Sequence, residues 1–152
     1  MKRFFILISF LIAFAACKEV FVAPPKALLQ ASLLNTSTKI AMSSTVSAWG
    51  IGRDISLVAD STLEKILFPL SIGDTTYFVI TFDSVVDTLT FFHETTQEYD
   101  SMESGFYYDF KLDSIAFTHN RIDSIAISDS LVTTKWHENI KLYIRPLPAL
   151  GN

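Results

Sequence analysis

Side chains able to do chemistry are few in this chain and far apart. There is one cysteine, Cys17, and there are three histidines, His93, His119 and His137, separated by 26 and 18 residues. Two imidazoles share a metal most readily at one-, two- or four-residue spacing on one element, and no pair here stands so. A hydrolytic or metal-dependent centre would have to be assembled from distant strands, from these histidines with Glu94, Glu98 or Asp109. No Gly-x-Ser-x-Gly turn presents a serine nucleophile, and with only five glycines no phosphate-cradling loop is formed. No catalytic residue, metal ligand or cofactor is expected, and each histidine is expected at a strand end or in a loop.

Aspartate is patterned instead. Eight of the ten aspartates precede Ser or Thr, and "VDTLTF" (86–91), "LDSIAF" (112–117) and "IDSIAI" (122–127) share one plan. The spacing is not that of a twelve-residue calcium loop with its fixed glycine and terminal glutamate. Asp and Ser accept local backbone hydrogen bonds and so mark turns, bulges and strand starts. In "FKLDSIAF" the apolar phase passes from Phe110 and Leu112 to Ile115 and Phe117, which predicts a β-bulge or strand break at Asp113–Ser114. The run "HETTQEYDSMESG" holds Glu94, Glu98, Asp100 and Glu103 with no Lys or Arg. It would suit a cation or a basic partner, and it predicts above all the solvated end of a hairpin, where charge keeps an edge from pairing.

Cys17 has a different setting. Lys2 and Arg3 precede an uncharged, mostly apolar run, Phe4 to Ala16, that ends in Ala15-Ala16. A transmembrane helix needs roughly twenty apolar residues, so this shorter run has the proportions of an export signal. Phe14-Ala15-Ala16-Cys17 resembles the lipobox of bacterial lipoproteins, with Phe where Leu, Val or Ile is usual. Residues 1–16 are therefore expected to be a cleaved lipoprotein signal peptide and Cys17 the lipid attachment site. One acyl chain, at about 0.8 kcal/mol per buried methylene, anchors only marginally, whereas two or three anchor stably. Cleavage removes Lys2 and Arg3 and leaves ten basic against sixteen acidic side chains. That mild acidity, with no basic patch, excludes nucleic acid as a partner. With no second cysteine the domain must be held by its core.

The elements that position these residues are strands. Residues 17–26 form a tether, stiffened by Pro24-Pro25. Residues 27–146 form the domain, and 147–152 are a C-terminal tail. "GFYYDFKL" puts Phe106, Tyr108, Phe110 and Leu112 on one face, "ENIKLYIR" does so with Ile140, Leu142 and Ile144, and "YFVITF" with Phe78, Ile80 and Phe82. Further strands are expected at 27–34, 46–51, 63–70, 87–97 and 122–132, the first of which could instead be two helical turns, since "ALLQASLL" contains good helix formers. About eight strands predict an all-β fold, an antiparallel β-sandwich or squat barrel.

The order lipobox, "VSAWGIGRDISLVADSTLEKILFPL", "TTYFVITF", "VDTLTF", "ESGFYYDFKLDSI", "RIDSIAI" resembles a family of small Bacteroidota lipoproteins built on one domain of unknown function. The resemblance implies an envelope location and a β-rich domain, without an assigned reaction. It also implies a Cys-Gly pair, disulfide-bonded upstream, where this chain has Ser104-Gly105, so that staple is absent here. The chain is thus expected to be lipid-anchored in the bacterial cell envelope, at the outer membrane. There it would be a non-catalytic binding or assembly module for another envelope protein or a glycan. An envelope hydrolase or metal-dependent enzyme is the alternative, and a small-ligand carrier with an apolar cavity is a third possibility.

Overall fold

The computed structural model describes residues 23–51 and 56–147. Cys17, the signal at 1–16, most of the tether and the end of the C-terminal tail lie outside the described residues. Among the described residues ten strands follow in order: β1 Leu28–Asn35, β2 Ser44–Gly50, β3 Ser56–Leu63, β4 Lys65–Pro69, β5 Thr75–Phe82, β6 Val85–Ser101, β7 Gly105–Phe117, β8 Ile122–Ile127, β9 Leu131–Val132 and β10 Glu138–Ile144.

They form two sheets, β4-β1-β10-β8 and β3-β2-β5-β6-β7-β9, so the chain is an all-β sandwich and the squat barrel is set aside. Alternation decides the inner faces. Leu29, Ala31, Leu33, Ile66, Phe68, Ile140, Leu142 and Ile144 from the smaller sheet share one core with Val46, Phe78, Ile80, Phe82, Leu89 and Phe91 from the larger. Phe68 bridges the layers, its ring 4.9 Å from Phe78 and 5.4 Å from Phe91. Such tilted pairs add to the roughly 1.5–3 kcal/mol that burying each aromatic contributes.

Segment 27–34 is a strand, because its helix-forming composition is outweighed by pairing on both sides, to β4 and to β10. Its pairing with β10 is parallel, the one departure from an antiparallel sandwich. The first and last strands thereby lie side by side in the middle of their sheet. Buried Asn139 accommodates an irregularity in this pair: its Oδ1 accepts from Gln30 N at 3.0 Å, and its amide donates to Leu131 O at 2.7 Å. Two further corrections concern strand number. β3 was not expected, since "SLVADSTL" does not alternate; Asp60, at φ 39°, interrupts it beside an irregular pairing with β2. The expected strand at 122–132 is two, β8 and β9, placed in different sheets.

β6 and β7 form the longest hairpin. Phe92 pairs with Ser114 and His93 with Leu112, which leaves Asp113 as the extra residue of a bulge, as the apolar phase shift requires. β5 reaches only as far as Phe92 along β6, and β9 meets β7 only at Phe110 and Lys111. The hairpin beyond these points extends as a two-stranded arm.

Candidate functional site

The three histidines stand on separate elements. His119 follows β7 and packs its ring 4.5 Å from that of Phe117, while its carbonyl accepts from Arg145 Nη1 at 2.8 Å. His137 precedes β10; its Nε2 lies 3.1 Å from Asp129 Oδ2. A hydrogen bond to the Lys135 carbonyl, aided by Asp129 and opposed by burial, holds its pKa above the usual imidazole value. Among the described residues no three His, Cys, Asp or Glu side chains converge as metal ligands.

His93 departs from expectation. It lies within β6 and only 2 % of it is exposed. Its Nε2 is 2.9 Å from Thr76 Oγ1, and Phe110 meets its ring edge-on at 5.3 Å. Ser71 Oγ donates to Thr75 O, so the Thr76 hydroxyl donates to Ser71 Oγ and accepts from the imidazole. That assigns the proton to Nε2. Burial lowers the pKa, against the opposing charges of Asp74 and Asp113. These carboxylates share with His93 an open groove of about 690 Å³ that also includes Gly73, Glu94 and Thr95. Glu94 points to the other face of β6 and pairs with Lys111 at 3.3 Å. Glu98 and Asp109 lie farther out along the arm, so the carboxylates that the alternative of a histidine-based centre would draw on do not meet His93. A second cleft, of about 760 Å³, lies between Leu57, Leu70 and Phe78, with Ile51 and Ser56 on its rim.

Polar groups are joined most densely at the root of the β6–β7 hairpin, around Asp87. Fully buried, its carboxyl accepts from Thr118 Oγ1 (2.7 Å), Asn120 N (2.9 Å), Arg121 N (2.7 Å) and Ile122 N (3.0 Å). Nearby, Asp83 and Ser84 turn β5 into β6 with both φ values positive, as a two-residue primed turn requires. Asp83 accepts from Thr45 N at 3.0 Å, Ser44 Oγ at 2.8 Å and Arg121 Nη2 at 2.6 Å. Burial pushes its pKa up, but these donors outweigh burial and hold it below the ordinary carboxylate value. Arg121, itself buried, also donates to the Arg145 carbonyl. This network latches the β7–β8 connection onto the β5–β6 turn. The aspartate pattern in the sequence marked Asp87, but as a local turn former; its partners lie more than thirty residues away.

The other end of the hairpin is built oppositely. Gly105, at φ 78°, closes the Met102–Ser104 loop, and the Ser104 hydroxyl donates to Asp100 and lies 2.6 Å from Ser101 Oγ. Local hydroxyl bonds thus hold the turn where the resemblance implied a disulfide. The acidic run is this hairpin end, as expected. Odd residues of β6 share a face with even residues of β7 before the bulge, so Tyr99 packs on Phe106 with ring centroids 5.4 Å apart. Phe106 is on the face expected of it but not in the core. It stands beyond the second sheet and is 56 % exposed, with Tyr99 at 57 % and Met102 at 91 %. Glu94, Glu98, Asp100 and Asp109 occupy the opposite face. Burial and then Glu98 raise the Asp109 pKa against the Thr134 N–H, while burial followed by Asp109, Glu98 and Asp100 raises that of Tyr107.

A sandwich with a packed interior and a projecting, aromatic and acidic hairpin defines the class of this protein. The chain belongs to a family of unknown function, DUF6452, whose profile matches residues 44–144. The match spans β2 to β10 and leaves out β1, the parallel partner of β10. Neither a curated protein nor a solved structure matches the chain.

Proposed function

We propose that this chain is a lipid-anchored β-sandwich lipoprotein of the bacterial cell envelope and acts there as a non-catalytic binding or assembly module. The anchor is supported by the charged head, the short apolar run and the small residues before Cys17. The binding role is carried by one observation, the arm formed by the outer halves of β6 and β7. Exposed apolar side chains that pack on one another, rather than stand singly, mark surfaces suited to a partner. Tyr99 and Phe106 pack on each other and Met102 is exposed in the turn between their strands, on a hairpin whose root is held by the Asp87 network. The partner is another component of the envelope, protein or glycan.

The role is tested with a photo-crosslinking residue placed at Met102 in intact envelopes, and at Ile127, which is exposed on β8 in the other sheet. A discrete adduct from position 102 alone is expected. No adduct there, or the same adduct from both sites, overturns the assignment. For the anchor, Cys17→Ser is expected to abolish palmitate incorporation and block signal removal; normal acylation and maturation of that variant count against it.

A further inference from the structure

We propose that the outer edge of β6 beyond His93 receives an extended segment of a second protein as an added strand, and that this segment alternates basic with apolar residues. The inference, which rests on the binding role proposed above, adds the identity of the recognition surface and the chemistry of its partner.

The edge follows from hydrogen-bond alternation. His93 N donates to Asp74 O at 2.9 Å, towards the β5 side, and Thr88 O accepts from Thr118 N on the β7 side. Odd residues of β6 therefore turn their N–H and C=O groups towards β5, and even residues towards β7. β5 begins at Thr75, opposite Phe92, so the main-chain groups of Thr95, Gln97 and Tyr99 turn to that side with no described strand paired to them; the Gly73 carbonyl, which accepts from Thr95 Oγ1 at 3.0 Å, covers only the inner end of this edge. The span 95–99 offers about 17 Å of edge at roughly 3.4 Å per residue. Such edges template strand addition unless charge, proline or a covering segment blocks them, and the carboxylates of this edge repel an acidic or like strand while admitting a basic one. The stretch 94–101 contains no lysine and no proline.

The two faces of the arm specify what is added. A strand presents alternate side chains to opposite faces. On one face an incoming strand meets Tyr99 and its neighbour Phe106, and apolar side chains are matched there. On the other it meets Glu94, Glu98 and Asp100, where the arm's one nearby cation, Lys111, is engaged by Glu94. Lysine or arginine is matched on that face. A second copy of this chain is disfavoured as the occupant, because edge-to-edge pairing would set the same carboxylates against each other.

The test uses the purified full chain in detergent and a short labelled peptide of alternating lysine and valine. Binding is expected, lost at high salt, with slowed amide exchange at Thr95, Gln97 and Tyr99. Replacing Glu98 and Asp100 by lysine removes two cross-strand ion pairs and should weaken binding about tenfold. Gln97→Pro deletes a donor on the free edge and none on the β7 side, so it should abolish binding while leaving the unfolding midpoint in place. The same peptide N-methylated at alternate amides should fail to bind the unaltered protein, whatever the proline variant does. Equal binding of a glutamate–valine peptide, protection elsewhere than on β6, or dimerisation through this edge overturns the inference. An adduct from position 102 without peptide binding overturns it and leaves the binding role standing; absence of both removes both.

Discussion

The two ends of the β6–β7 hairpin use the same kinds of residue to opposite effect. At the root, the Asp87 carboxyl is fully buried and takes four donors, three of them main-chain N–H groups of the β7–β8 connection and the first residue of β8. At the tip, Asp100 and Ser104 satisfy only one another and Ser101, while the aromatic pair Tyr99–Phe106 faces solvent. What separates them is cover. Both sheets close over the root, so a polar group there must find partners or cost the fold. The tip has a single neighbour on each strand and keeps its unused hydrogen-bonding groups. Stability is concentrated at the root, and the partner proposed for the arm would use the groups left unpaired at the tip.

This contrast can be broken most sharply at Asp87. Asp87→Ala leaves several buried donors unpaired at about 1–3 kcal/mol each, and a loss of at least about 3 kcal/mol is expected from urea unfolding. A loss under about 1 kcal/mol would mean that the root does not hold the fold. His93, where the arm leaves the sandwich, should report through pH. Its folded pKa lies below the unfolded value, so between the two the unfolded chain binds more protons. The stability it contributes is complete above about pH 6.5 and falls as pH drops towards the folded value. Unfolding midpoints from pH 7.5 to 5 should show this decline, and His93→Gln should flatten it; an unchanged slope would place the titrating group elsewhere.

Smaller effects are expected at the tip. Gly105→Ala meets no neighbouring atom within 4 Å but must adopt φ 78°, which costs about 1–2 kcal/mol. The strain should appear as faster amide exchange confined to residues 99–106, with little change in the global midpoint. If the midpoint falls by the full amount, the arm and the sandwich unfold as one unit. Met102→Ser should change stability by less than about 0.5 kcal/mol, and a larger loss in thermal unfolding would show that this side chain packs against the fold.

Much of the scaffold could be read from alternation. Ile140, Leu142 and Ile144, or Phe78, Ile80 and Phe82, repeat at the strand period because one face of each strand is dry, and all six are buried. The bulge at Asp113 was legible for the same reason: a one-residue slip would have turned every later side chain outward. β3 is not legible in the sequence, because an edge strand with an interruption at Asp60 is half wet on both faces and has no period to show. Phe106 misled in the other direction. Periodicity reports which side a residue is on, and whether another sheet lies over that side depends on where β10, β1 and β4 stop.

For the candidate site the division is sharper. The acidic run is visible in the sequence, and the hairpin end follows from it. That Asp87 serves residues 118, 120, 121 and 122, that Asn139 reaches Gln30, and that Arg121 reaches Asp83 are long-range hydrogen bonds. No local pattern encodes them, because a carboxylate that caps its own turn and one that caps a distant loop look alike in sequence.

The sequence by itself determined the strand periods, the bulge, the hairpin end and the expectation of a lipid anchor at Cys17, since each depends on neighbours within a few residues. Only the tertiary structure decided that the first and last strands run parallel at the centre of one sheet, that His93 is a core residue, and that β5 stops short of the end of β6. That last mismatch in length leaves a strand edge uncovered, and edges exist only once every other strand has found its place.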